Sequence, residues 1–259
     1  MKGRTVAAYP PSITPENHVA PAPRRVRGFA GGHRLFDTTA ALYVWEWPPY
    51  PQYYIPQRDV DMSVLSASGE PYGTPQGTVL DHDLNVGGDV RERAARLVVD
   101  SPLDGLAGRL RFDWESLDQW FEEDEEVFVH PRSPYDRVDA LRSRRRVRIE
   151  VDGTVLAESP APVFVFETGL PTRYYVDRGD VNFEHLVPSD TRTACPYKGR
   201  TTGYWSSVVG ENTHRDVAWS YDFPTRQLLP IAGLVAFLNE KGDIFIDNVK
   251  QERPVTHMS

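Results

Sequence analysis

Cys195 is the single cysteine of this 259-residue chain, and Lys198 follows it three positions later inside "TACPYKGRTTGYW". A thiol and an amine at that spacing act together only if the chain folds back between them. Pro196 suits the second position of a β-turn and Gly199 its exit, which would bring the Cα atoms of Cys195 and Lys198 within ~7 Å. An ammonium that close favours the thiolate, the nucleophilic and metal-binding form of cysteine. The opposing reading is that a free cysteine packs as a small apolar group. A cysteine nucleophile also calls for a histidine base, and the nearest in sequence, His185 and His214, have no informative spacing.

A second set of residues surrounds Glu167, which ends the apolar run "VFVFE" ahead of a Gly-Leu-Pro turn and the pair Tyr174-Tyr175. A carboxylate there must be solvated, paired or used, because burying it without a partner costs several kcal/mol. Arg173 or Lys198 could neutralise it in a purely structural bond. Otherwise Glu167 is a candidate general base and Tyr174 a proton donor, with Cys195 and Lys198, at the polar end of a pocket. Tyr175, Trp205, Trp219 and Tyr221 would then be its aromatic walls, although each of them also reads as ordinary core. A third set, His130, Arg132 and Tyr135, follows a strongly acidic stretch, with eight acids among the 14 residues from Asp113 to Glu126. Such a run reads first as a solvated face. If a ligand sits between domains, these three residues could reach it, with Arg132 gripping an anionic group. His82 lies in "DHD", but successive side chains on a strand point to opposite faces, so neither a metal nor a cofactor is expected.

The elements that must position these groups read as strands. "RVRIEVDGTVLAES" alternates apolar residues on either side of Asp152-Gly153, a pair suited to a two-residue hairpin turn, and "VFVFE" and "RYYV" continue the pattern. One helix is expected in "PTRQLLPIAGLVAFLNE", where Leu228, Ile231, Leu234, Val235 and Leu238 fall on one face.

The chain also repeats itself. Shifted by 121 positions, Arg24 falls on Arg145, Val26 on Val147, Gly32 on Gly153, Glu46 on Glu167, Tyr53 on Tyr174, Tyr54 on Tyr175 and Asp59 on Asp180, with no gap. Farther on, Ala107 pairs with Ala232 and Phe112 with Phe237, which makes the chain a tandem duplication. The copies differ where chemistry is most at issue. Matching Pro71-Tyr72 to Pro196-Tyr197 places Glu70 opposite Cys195 and Gly73 opposite Lys198, so the thiol and the amine are present together in the second copy alone.

The segments "HPRSPYDRVDALRSRRRVRIEVDGTVLAES", "ETGLPTRYYV", "ACPYKGRTTGYWSSVV" and "VAWSY" resemble the bacterial and fungal family called domain of unknown function 427, over residues 20 to 250. The resemblance implies one or two copies of a compact, mainly β domain, and carries an old nucleotidyltransferase label. Nucleotidyl transfer needs clustered carboxylates to hold metal ions, commonly behind a glycine-serine turn. Asp59 and Asp61 have neither that turn nor a third carboxylate, and read as the end of a surface strand.

A net charge of −8 argues against a polyanionic partner, so nucleic acid is not expected. One cysteine rules out an intramolecular disulfide and fits a reducing, cytoplasmic setting. "MKGRTVAAYPPS" lacks the apolar core of a signal peptide. The longest apolar run, "LLPIAGLVAFL", is 11 residues against the ~20 needed to span a bilayer, so no membrane association is expected. The expectation is a mainly β protein of two tandem antiparallel domains, tent-like or half-barrel, each with a short helix. An extended segment over 1–22 precedes a first repeat at 23–130, a structured strap at 131–144, a second repeat at 145–250 and a tail at 251–259. The function expected is binding or transformation of a small polar or anionic molecule in the second repeat or between repeats. A non-catalytic interaction module is the alternative, and the sequence is silent on oligomeric state.

Overall fold

The structure is a computed structural model that describes residues 14–254, and it divides between Pro134 and Tyr135 into two compact units. Each unit is built from a seven-stranded and a four-stranded antiparallel sheet. In the first unit the large sheet runs in the order Val19–Pro21, Leu42–Trp47, Tyr50–Pro56, Arg109–Phe112, Asp89–Asp100, Gly77–Val86, Leu65–Thr74. In the second the order is Val138–Arg142, Val163–Glu167, Arg173–Val176, Val235–Phe237, Asn212–Ser220, Gly203–Val209, Leu186–Pro188. The two orders correspond strand for strand.

Alternation along the strands sets which side chains are buried. In Val147–Val151 the buried positions are Val147, Ile149 and Val151, while Arg148 and Glu150 face outward and pair with each other at 2.9 Å. The inward residues of both sheets meet in one core, in the second unit Ile149, Leu156, Phe164, Val176, Val217, Phe237 and Ile244 among others. The expected hairpin turn is present: Asp152 and Gly153 have φ of 48° and 77°, and Gly31 and Gly32 repeat this at 56° and 75°. Shorter features repeat as well. The isolated bridge Phe36↔Val60 recurs as Ala157↔Val181, and the 3-10 turn Gln57–Asp59 recurs as Arg178–Asp180.

Three expectations are corrected. The helix in "PTRQLLPIAGLVAFLNE" is a 3-10 stretch, Arg226–Ile231, followed by the strand Val235–Phe237. Pro230 cannot donate to an α-helical ladder, and Gly233 takes φ of 73° so that its N–H reaches Tyr221 O at 2.8 Å. Three residues per turn still place Leu228 and Ile231 on one side, and both are buried. The strap 131–144 is not one element, since Val138–Arg142 is an edge strand of the second unit. The first repeat does not begin at residue 23: Val19–Pro21, extended as expected, is a strand of the first unit's large sheet and pairs with Leu42–Val44, while residues 1–13 of the expected N-terminal segment lie outside the described residues. In the C-terminal tail, residues 251–254 carry no regular structure and 255–259 lie outside the described residues. Among the described residues no helix is long and apolar enough to cross a membrane.

Candidate functional site

Opposite its core face, the large sheet of the second unit presents Val163, Val165, Tyr175, Trp219, Tyr221 and Ala236, which Leu228 and Ile231 cover. Beside them a short hairpin pairs Ala194 with Arg200 and Cys195 with Gly199. Its tip is anchored by Thr225, whose N–H donates to Lys198 O at 3.0 Å and whose hydroxyl donates to Tyr197 O at 2.5 Å. With the tip fixed, the Lys198 side chain runs inward and is 9% exposed. Its ammonium donates to Glu167 Oε2, and Cys195 Sγ lies 3.7 Å from the same nitrogen. Glu167 reaches that position because it ends its strand opposite Val138 on the edge strand. From the same neighbourhood Tyr197 donates its hydroxyl to Asp136 Oδ2 at 3.2 Å.

The electrostatics follow from burial. Burial opposes the Lys198 charge, but Cys195, Glu167 and Tyr175 more than offset it and hold its pKa above the ordinary lysine value. The amine is therefore an ammonium at neutral pH. Burial raises the Asp136 carboxyl, the hydrogen bond from Tyr197 works against that, and Glu167 adds to it. Tyr175 is pushed up to about 12 chiefly by burial, with its hydroxyl accepting from Trp219 Nε1 at 3.2 Å. Tyr221 is likewise held well above its usual value by burial. Both phenols keep their protons, so the set offers one ammonium, two carboxyl groups, neutral hydroxyls and a half-buried sulfur.

The first unit shows what differs. There Glu46 accepts from Tyr54 at 3.0 Å and from Arg111 at 3.2 Å, with Arg96 at 3.9 Å. Arg96 stands opposite Arg111 in the ladder, and the matching pair in the second unit is Trp219 opposite Ala236. The second unit thus replaces two arginines by an aromatic and a methyl, and supplies the balancing cation from the hairpin instead. The matching of Cys195 to Glu70 and of Lys198 to Gly73 is overturned. Glu70 and Gly73 lie within the strand Leu65–Thr74, where Tyr72 pairs with Val79; the first unit's own hairpin tip lies farther on, at Thr74↔Gly77, where Gln76 O accepts from the Ser101 hydroxyl at 2.5 Å as Tyr197 O does from Thr225.

Of the sequence-derived candidates, Cys195, Lys198, Glu167, Tyr175, Trp219 and Tyr221 gather here. Tyr174 and Trp205 do not. Each sits one position from an outward residue on its strand, so alternation turns it to the core face, where Tyr174 meets Phe164 edge-on and Trp205 meets Phe183. Arg173 is not the partner of Glu167, since its guanidinium is engaged by Glu240 at 2.7 and 2.8 Å. His214 pairs with Asp152 at 2.7 Å instead of serving Cys195. His130 stacks on Tyr50 with ring centroids 3.8 Å apart, and Arg132 is 15% exposed and flanked by Glu122 and Glu125, which leaves little of its charge for an anion. Tyr135 is 42% exposed and begins the second unit. Asp59 accepts from Thr38 at 2.7 Å and Asp61 caps the turn Met62–Val64, so both carboxylates serve local structure.

Sequence reasoning missed Asp136 and Tyr197. Asp136 lies 31 positions before Glu167, and only the pairing of the edge strand brings the two carboxyls together. It also missed Glu122, which belongs to the acidic run yet is 4% exposed, accepting from Tyr53 at 2.6 Å, Arg24 at 2.5 Å and the Arg132 N–H at 3.1 Å.

Two antiparallel two-sheet units in tandem, with one unit carrying an amine, thiol and carboxylate set, define the class of protein. The profile of the domain of unknown function DUF427 matches residues 18–123 and again 139–248. The chain belongs to that family, in its two-copy form. No curated protein matches the chain.

Proposed function

We propose that the second unit binds a small, uncharged polar molecule at the hairpin Cys195–Gly199, with the Lys198 ammonium and Glu167 carboxylate as its polar contacts and Cys195 at its rim. The carrying observation is the buried Lys198–Glu167 pair with the sulfur at 3.7 Å, set against a first unit in which the same sheet face is closed by arginines. A charge-matched pair next to a second carboxyl, Asp136, repels an added anion and offers both donors and acceptors to a neutral polar ligand. Tyr175, Trp219 and Tyr221 support the lysine from beneath, so their role is to keep it dry and fixed.

The test is ligand-observed NMR of the full chain with a panel of small polyols, amides, amines and carboxylic acids. Neutral members should bind the wild type and lose binding in the double variant K198M/E167L. Binding that survives in that variant, or that is confined to the acids, would remove this reading.

A further inference from the structure

Cys195 is half-buried, and a lysine nitrogen stands close to its sulfur. Lys198 Nζ is 3.7 Å from Sγ, on a side chain 9% exposed, and the Glu167 carboxylate holds the same nitrogen from its other side. Sulfur and nitrogen belong to one hairpin whose tip is fixed by Thr225, so closing the remaining gap needs side-chain torsion and no backbone rearrangement. A sulfenic acid in contact with a nitrogen condenses to a sulfenamide.

We propose that Cys195 and Lys198 form a reversible, peroxide-driven covalent link. In the first step hydrogen peroxide takes two electrons from the thiol: an S–O bond forms, the O–O bond breaks, and one water leaves. In the second, the Lys198 ammonium first passes a proton to the Glu167 carboxylate, and the amine so freed attacks the sulfenyl sulfur with its lone pair, forming S–N and breaking S–O. The ammonium gives up two protons, one to the Glu167 carboxylate and one to the departing hydroxide, which leaves as water. An ammonium, a carboxylate and a sulfenic acid become a sulfenamide, a neutral carboxyl and water, so atoms and charge balance. The second step discharges a buried ion pair, which offsets part of the standing desolvation cost of those two charges. Two equivalents of a thiol reductant reverse the link, returning the amine, the thiol and a disulfide of the reductant.

The link does not depend on the ligand reading, because its readout is a mass. Linking removes the ammonium from the proposed contact set, and so gives that site an oxidative off-state. The experiment treats the full chain with hydrogen peroxide, then maps tryptic peptides from the unfolded protein without reductant. The wild-type peptide holding Cys195 and Lys198 should lose a pair of hydrogens, its iodoacetamide reactivity and its cleavage after Lys198, all restored by dithiothreitol. In K198M and K198R the peroxide should instead add oxygens to Cys195, and in E167Q the link should form more slowly than in the wild type. A wild-type Cys195 that advances to sulfinic acid with Lys198 still cleaved, or that peroxide leaves untouched, overturns the proposal.

Discussion

Replacing Lys198 by methionine isolates the electrostatics of the site. The change keeps most of the side-chain volume and removes the charge, leaving the 11%-exposed Glu167 carboxylate without its cation and within electrostatic reach of Asp136. Removing one partner of a buried pair costs about 3–5 kcal/mol, and the small residual exposure of Glu167 places this case near about 3. With a urea slope of about 2 kcal/mol per molar, the unfolding midpoint of the second unit should fall by about 1.5 M. The double variant K198M/E167L removes both charges and should return to within about 1 kcal/mol of the wild type, because a buried ion pair and an apolar pair of similar volume differ little. The assay is urea unfolding at neutral pH, followed by tryptophan fluorescence for all three proteins. If K198M is as stable as the wild type, or if the double variant is at least as damaged as K198M, the pair is not the buried charge unit described above.

Other expectations follow from the same structure. G153A should cost about 1–2 kcal/mol by chemical unfolding, because residue 153 sits at φ of 77°, where a Cβ crowds the backbone. G28A should cost about 1–3 kcal/mol, since a Cβ at Gly28 would overlap the Phe36 ring and Leu117 in the first unit's core. The carboxyls of Asp37 beside Arg25, Asp118 beside Arg91, Asp152 beside His214, Asp243 beside Lys250 and Asp247 beside Arg145 are all held below their ordinary values by those partners. Their contribution is complete above the unfolded-state value and lost as pH falls through the folded one, so the urea midpoint should drop below about pH 4. Asp136, raised by burial, has the opposite sign: its ionisation is a penalty at neutral pH that disappears in acid. D136N should therefore be more stable than the wild type at pH 7, with the difference gone below about pH 4.

The duplication and the strands were legible because they depend on local pattern. Alternation in "RVRIEV" and the Asp-Gly turn are properties of a few adjacent residues, and both reappear in the fold. The 3-10 stretch was not legible, since apolar residues three apart satisfy a 3-10 turn and an α-helix alike, and Pro230 with Gly233 decides between them only through a tertiary bond to Tyr221. At the site, the approach of Cys195 and Lys198 could be read from a turn signal, and the placement of Tyr174 and Trp205 could not. Which face of a strand is inward depends on register, and a one-residue step inverts it. Asp136 was illegible because it lies 31 positions before Glu167, just ahead of the edge strand whose pairing brings it to the site. The matching of the copies around the cysteine failed for a related reason: the shared Pro-Tyr dipeptide lies in a strand of one unit and at a hairpin tip of the other.

The most direct measurement of the central claim is the rate at which iodoacetamide alkylates Cys195 in the full chain, followed by intact mass, with each member of the panel of small polar molecules added in turn. The expected result is that the neutral compounds found to bind by NMR slow alkylation in the wild type in proportion to occupancy, and leave the rate unchanged in K198M/E167L. Alkylation that is indifferent to every bound compound, or protected equally in both proteins, would contradict a site at Cys195, Lys198 and Glu167.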